Sequence, residues 1–446
     1  MKIVLISPFF DKKIRKTARK TFRFPPLNLP IIASLTPKEF EVKIVDENVE
    51  DINFDEGTDL VGITCMTAQA PRAYSVADAF RKRGIRVVLG GIHPTALPNE
   101  AAKHADAVVI GEAENTWPEL MFDLRKNGLK KFYSCTKRPS LKNLPLPRLD
   151  LLKRDRYIFG DVIQIFRGCP FACSFCSVSN FFGNTYRYRP IDDVVNEIKH
   201  RRSNTIRPQF MGFLDDNIAG LPRYAKELFE RLIPLNIWWA GQASLTVAKD
   251  KELLRIFQRS GCKFLYIGFE SVSQVSLHEA NKNFLNPDNF KESIKRIHDF
   301  GINIEGAFIF GFDDDDETIF ERTVRFADKI GVDAAQFGIL TPFPGTKLWD
   351  KLEKEKRIFT KDWTKYGIGN AVFKPKKMSP EKLKEGTEWA WREFYSLRNI
   401  GKRIVSIAGT RVGAAIPMLA LQLAYKSTMA RRKKAHSEEG LIFTEI

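Results

Sequence analysis

The chain has 446 residues, 43% hydrophobic and 28% charged, which excludes an intrinsically disordered chain and predicts two or three globular domains. Six cysteines, three of them clustered, exclude the disulfide framework of a small secreted protein. The net charge of +17 is compatible with nucleic acid, an anionic membrane or an acidic substrate, and it is uneven: residues 12–23 form one basic block, and residues 395–437 contain no Asp or Glu.

Met1-Lys2-Ile3-Val4-Leu5-Ile6 opens directly on a strand pattern with no signal peptide. This predicts an intracellular, cytoplasmic protein in a reducing compartment. Residues 2–10 read as a buried parallel strand. Pro25-Pro26-Leu27 then leads into a short helix over 31–35. Further strands are expected over 40–46, 59–64, 86–89 and 107–110, with helices over 73–82 and 116–124. Strands alternating with helices at this interval make βαβ units and a parallel, doubly wound, Rossmann-like sheet, whose ligands sit at the strand C-termini. Gly90, Gly91, His93, Gly111 and Glu112 fall at such ends. The glycines would let backbone approach a flat, bulky ligand. Residues 126–160, with Leu144-Pro145-Leu146-Pro147, read as a linker region.

From residue 161 the rhythm restarts at the repeat of a β/α barrel. Strands are expected over 162–166, 209–214, 238–243, 264–269, 302–310 and 333–340, each followed by a helix or loop. Six such units make a partial barrel, open on one side for a large substrate. Asp215, Asp216, Glu270 and Ser271 fall at strand C-termini, where barrels do chemistry. Asp313 to Asp316 read equally as helix caps.

The first barrel strand runs into Gly168-Cys169-Pro170-Phe171-Ala172-Cys173-Ser174-Phe175-Cys176. A tight loop at a strand end can aim three thiolates at one centre. Three ligands suit a [4Fe–4S] cluster with one iron open for another ligand. Zinc generally takes a fourth protein ligand and paired Cys-x2-Cys spacings, and no second pair exists. Structural cysteines are the remaining alternative.

This spacing, with Phe175 before Cys176, resembles the radical S-adenosylmethionine (SAM) superfamily. The resemblance implies that Cys169, Cys173 and Cys176 hold the cluster. SAM chelates the open iron and is cleaved reductively to methionine and a 5′-deoxyadenosyl radical. It also implies that Asp215 and Asp216 help to hold the SAM amino group and that Glu270 and Ser271 contact its polar groups. Gly306 and Gly311 would lie beside adenine. The N-terminal domain resembles the cobalamin-binding domain of many such proteins, through Pro-Pro-Leu, Gly90-Gly91-Ile92-His93-Pro94-Thr95 and Gly111-Glu112. Asp-x-His-x-x-Gly, which supplies an axial histidine, is absent. His93 is therefore expected as a loop histidine bonding a ligand phosphate, amide or backbone group, not as a cobalt ligand. Thr341-Pro342-Phe343-Pro344-Gly345-Thr346 resembles the sixth-strand loop of the cobalamin-linked members.

Beyond 350 the chain reads as helical, with Ser379 an N-cap and Pro380 at the first helical position. Trp389, Trp391, Phe394 and Tyr395 crowd one helix. Residues 404–425 are mostly apolar but carry Arg411, which is costly in a spanning helix. An interfacial helix or a packing helix fits better.

The expected architecture is therefore a cobalamin-binding-like domain over 1–140, a linker over 141–160, a partial barrel over 161–350 and a helical region over 351–446. The expected function is a cobalamin-dependent radical SAM enzyme that methylates an unactivated carbon of a hydrophobic or lipid-like small molecule. Phe171, Phe175 and Phe181 would line a water-poor pocket around the radical. A flavodoxin- or ferredoxin-like protein would supply the electron, and peripheral membrane association is an expectation from the tail. Ring rearrangement or oxidation is an alternative chemistry. A tRNA methylthiotransferase is a poorer one, because the N-terminal domain offers only Cys65, with Cys135 in the linker region, for a second cluster. Nucleic acid is therefore not an expected partner. A degenerate cluster-bearing binding protein is the non-enzyme alternative.

Overall fold

The computed structural model describes residues 1–9, 24–126, 128–158, 160–202 and 208–435, with side chains described as far as 430. The basic block at 12–23 lies outside the described residues. Two parallel sheets organise the molecule. The first has the order β2-β1-β3-β4-β5-β6, built from β1 (Lys2–Ser7), β2 (Glu41–Asp46), β3 (Leu60–Thr64), β4 (Arg86–Gly90), β5 (Ala107–Ile110) and β6 (Phe132–Ser134). Its strands are near-continuous apolar runs because helices cover both faces. β1 pairs with β2 on one side and β3 on the other, so the order reverses there. That reversal opens a crevice at the strand C-termini. β6 was expected as linker; it adds a sixth parallel strand, and Tyr133 packs into the core.

The second sheet has the order β7-β10-β11-β12-β13-β14. Its strands are β7 (Asp161–Ile163), β10 (Gln209–Phe213), β11 (Ile237–Ala243), β12 (Cys262–Glu270), β13 (Asn303–Phe310) and β14 (Ala334–Ile339). It is the expected partial barrel. One detail differs. The first strand ends at Ile163, and β8 (Phe166–Arg167) leaves to pair antiparallel with β9 (Arg187–Tyr188). Asp215 explains the break. Its Oδ1 accepts from Ile165 N at 2.8 Å and Phe166 N at 2.5 Å, taking the amides that a ladder would need.

The C-terminal region closes the barrel's free edge. β14 has no strand neighbour beyond β13 among the described residues. Side chains take the exposed backbone groups instead. Tyr395 Oη accepts from Ala335 N and donates to Ala335 O, Trp391 Nε1 donates to Phe337 O, and Gln422 Nε2 donates to Asp333 O. An edge so covered cannot recruit another strand. Residues 358–373 instead pack Trp363, Tyr366 and Val372 into the first domain's core.

The apolar segment at 404–425 is not one helix. Helices Leu397–Thr410 and Val412–Ala435 form a hairpin that turns at Arg411. Arg411 is held by Asp333 and by Asn303 Oδ1 at 2.7 Å, so the charge is satisfied by protein. No described helix is long and apolar enough to cross a membrane.

Candidate active site

A cavity of about 600 Å³ lies where the two sheets face each other. Its floor on the first domain comes from the ends of β1, β3, β4 and β5, at the strand-order reversal. Its barrel side includes Gln164, Arg167, Phe181, Phe182 and Asp216. Gln336, Trp391, Tyr425 and Met429 form a further wall, so the C-terminal helices are part of it. The size and the mostly aromatic and aliphatic lining suit a cofactor or a large organic ligand.

The glycine-rich loops of the first domain reach this cavity as expected. Gly90, Gly91, Gly111 and Glu112 all line it. Gly91 has φ +102°, and a Cβ there would lie 2.8 Å from Thr64 Oγ1 and 2.9 Å from Cys65 O. Only glycine fits that turn.

The cysteine loop is held from several sides. Cys169 N donates to Gly183 O, Ser174 N to Ala280 O, and Asn281 Nδ2 to the carbonyls of Phe171 and Ala172. Gly168, at φ +87°, has no room for a side chain, since a Cβ would sit 2.3 Å from Thr185 O. Cys169, Cys173 and Cys176 are half-buried and free, and their thiols lie close enough to perturb one another. Burial pushes Cys173 up to about 11 and Cys176 up to about 12. A metal that binds them must therefore displace protons. Zinc gathers its thiolates to about 2.3 Å around one point. Among the described residues no three metal-ligating side chains converge on a single ion. In an iron–sulfur cube each cysteine binds a different iron, so three thiolates need not meet at one ion.

The Radical SAM superfamily matches residues 163–327, and the B12 binding domain matches residues 17–121. The bacteriochlorophyllide d C-12(1)-methyltransferase of Chlorobaculum tepidum is 34% identical over 85% of this chain and 84% of its own length. The same organism's bacteriochlorophyllide d C-8(2)-methyltransferase is 33% identical over 85% of this chain and 90% of its own length.

The chain belongs to the cobalamin-dependent radical SAM methyltransferases.

Its fold agrees with that family. The cobalamin-dependent radical enzyme OxsB, solved with aqua-cobalamin and SAM, superposes with a TM-score of 0.66 at 15% identity, covering 96% of this chain and 72% of that one. This methyltransferase therefore uses SAM, a [4Fe–4S] cluster and cobalamin. The three cysteines would hold the cluster, and the loops at Gly90–Gly91 and Gly111 would border the cobalamin. Bound there, these groups supply reductive SAM cleavage to a hydrogen-abstracting radical and a transferable methyl group.

Several residues expected at the cofactors stand elsewhere. Asp215 is fully buried and serves the amides of Ile165 and Phe166; it does not line the cavity. Its neighbour Asp216 does line it, and burial pushes that carboxyl up to about 6. His93 is fully buried behind the loop, not in the cavity. Its Nε2 lies 3.2 Å from Glu100 Oε1, which also accepts from Tyr74 Oη and from Trp363 Nε1. Burial holds His93 below the ordinary imidazole range, and its ring packs against Tyr74 and Trp363, between the first domain and the C-terminal segment. Glu112 reaches the cavity, but Arg167 and Arg187 engage both of its carboxylate oxygens.

On the barrel, Ser271 Oγ accepts from Ser273 N at 3.1 Å, a local turn contact. A Cβ on Gly306 would meet the rings of Phe269 and Phe308, and one on Gly311 would meet Leu383 and Phe373. Both glycines make room for these protein side chains. Phe181 lines the cavity, whereas Phe171 stacks on Phe284 and Phe175 packs against Phe312.

Glu270 ion-pairs with Lys282, a residue that sequence reasoning missed. Burial alone would discharge Lys282, but Glu270 and the nearby Cys173 and Cys176 raise its pKa above the ordinary value. It places a fixed positive charge beside the thiols. Nothing in the local sequence marks it, because the partners come from β12 and the cysteine loop.

Proposed function

We propose that this methyltransferase places a methyl group on an unactivated carbon of a tetrapyrrole-class molecule. The observation that carries the reading is similarity along 85% of the chain to two enzymes named for methylating bacteriochlorophyllide d. The cavity supports it: Phe181, Phe182, Ile368 and Met429 are partly exposed in its lining and offer flat and deformable apolar surface for a large ring. Such surface also keeps water from a carbon radical.

The electron would come from an acidic one-electron carrier of the flavodoxin or ferredoxin class. The net charge of +17 would attract such a protein. The C-terminal hairpin would rest on an anionic membrane surface. Val412, Ile416, Leu419 and Leu423 recur at helical spacing and are 77, 80, 37 and 41% exposed. The basic residues 431–434 follow on the same chain. An exposed apolar stripe with adjacent cations suits shallow insertion into a headgroup layer.

The test is anaerobic turnover of the reconstituted enzyme with SAM, hydroxocobalamin, reductant and a chlorophyllide with an unmethylated side chain. The expected result is a product heavier by one methylene, formed together with 5′-deoxyadenosine. Deoxyadenosine formed with chlorophyllide recovered unchanged, alongside methylation of a polycyclic isoprenoid in a parallel reaction, would overturn the tetrapyrrole assignment.

A further inference from the structure

A buried ion cluster bridges the two sheets at the edge of the cavity. Two carboxylates come from the loop after β5 and two guanidinium groups from the β8–β9 ribbon that frames the cysteine loop. Arg167 Nη1 donates to Glu112 Oε2 at 2.7 Å and lies 2.6 Å from Glu114 Oε1. Arg187 Nη2 donates to Glu112 Oε1 at 2.5 Å and to Phe182 O at 3.1 Å, and its Nη1 donates to Pro139 O at 2.8 Å. Arg167 Nε also donates to Gln164 Oε1 at 2.9 Å. The side chains of Arg167, Glu112 and Glu114 are 6, 2 and 7% exposed.

Two positive charges meet two negative ones, so the cluster is neutral as a whole. Removing four charges from water is nonetheless expensive, and an apolar seam of similar volume is often as stable or more so. Stability is therefore a poor account of these residues. What the cluster does supply is direction, because each planar guanidinium is also held by a second partner, Arg187 by Phe182 O and Pro139 O and Arg167 by Gln164, so its angle to the carboxylates is set.

The chain positions of the four residues show what is being directed. Glu112 follows Gly111 in the loop that borders the cobalamin side of the cavity. Arg167 precedes Gly168 and Cys169, and Arg187 lies on the strand paired to it. The cluster thus ties the loop beside one cofactor to the backbone that sets the thiols of the other. We infer that Arg167, with Glu112, Glu114 and Arg187, is a positioning device that fixes the cobalamin-side loop in register with the cysteine loop. The inference rests on cobalamin binding in the cavity that Glu112, Glu114 and Arg167 line and on the cluster binding at the adjoining cysteine loop. The four residues act by setting the separation and angle of the two loops.

The test uses the full chain, reconstituted anaerobically with iron, sulfide and hydroxocobalamin and reduced so that both the cluster and Co(II) are paramagnetic. Electron paramagnetic resonance then reads the magnetic coupling between them, which depends on distance and orientation and needs no substrate. Wild type is expected to give one well-defined coupling. Arg167→Gln should keep its iron and cobalamin but lose the defined splitting, and amide exchange over residues 107–116 should quicken. A double variant, Arg167→Met with Glu112→Gln, removes one charge of each sign. It should regain the thermal stability lost in Arg167→Gln but not the splitting. A splitting unchanged in Arg167→Gln, or restored together with stability in the double variant, would reduce the cluster to an ordinary structural contact. If Arg167→Gln fails to fold, Glu114→Gln, which removes one arm only, should still broaden the splitting, and an unbroadened signal there would overturn the inference. A wild-type enzyme that binds both cofactors without magnetic coupling would instead refute their adjacency.

Discussion

The two sheets end on the same cavity, yet they contribute to it differently. The first domain brings backbone: Gly90, Gly91 and Gly111 line the space, and its loop histidine, His93, is sealed behind them. The barrel brings Gln164, Arg167 and Asp216, the last of which neighbours Cys169 and Cys176 of the adjoining cysteine loop, while Asp215, Glu270 and Ser271 are engaged by neighbouring protein groups. A glycine required by a turn has only one arrangement that works, so its motif and its place in space go together. A carboxylate at a strand end has several uses, and burial makes it serve the nearest unpaired donor first.

The sharpest break in that comparison is on the barrel side. Replacing Cys169, Cys173 or Cys176 by Ala should remove most of the iron and abolish SAM cleavage. Cys135→Ala, at an exposed position in the first domain, should retain both. Iron analysis of the reconstituted variants, with deoxyadenosine measured by chromatography, checks this. Comparable iron loss in Cys135→Ala would mean a further cluster.

Matched glycine substitutions should separate the two sides. Gly168→Ala forces a Cβ toward Thr185 O and should empty the cysteine loop of iron while cobalamin still binds. Gly91→Ala should do the reverse. It should weaken cobalamin binding about tenfold or more, roughly 1.4 kcal/mol, with iron content unchanged. Absorbance titration with hydroxocobalamin and iron content read the two effects. Loss of both cofactors in either variant would mean that the loops fold as one unit.

Smaller effects are expected from the buried residues that left the site. Asp215→Ala orphans the amides of Ile165 and Phe166, at a cost of about 1–3 kcal/mol for each group left unsatisfied. His93→Ala should lower stability by a similar amount without altering the axial ligation of Co(II). Thermal melts and the cobalt resonance spectrum check both. A nitrogen hyperfine pattern that vanishes in His93→Ala would restore that residue to the metal.

The least disruptive change concerns the surface hairpin. Ile416→Ser with Leu423→Ser should leave folding intact, since both side chains face solvent. Each removes up to about 1.5–3 kcal/mol of apolar burial from a membrane-bound state. Sedimentation with anionic and neutral vesicles across a salt series measures it. No wild-type binding to anionic vesicles at low salt would end the membrane proposal.

The sequence by itself determined the architecture to a good approximation. Period and punctuation mark βαβ units, and Cys-x3-Cys-x2-Cys after an apolar strand marks the metal loop, because both signals are local along the chain. Ser379 at its N-cap is legible for the same reason: its side chain accepts from Lys382 N three residues on. What only the tertiary structure decided is where long-range pairs form. β6 was hidden in a proline-rich region, because joining an existing sheet edge needs few residues and no strong pattern. Arg411 read as a charge inside an apolar segment until Asp333, 78 residues away, supplied its partner and bent the segment into a hairpin. The Arg167 cluster and Lys282 were invisible for the same physical reason. A buried charge is stable only with a partner, and the partner's address is set by packing, not by spacing along the chain.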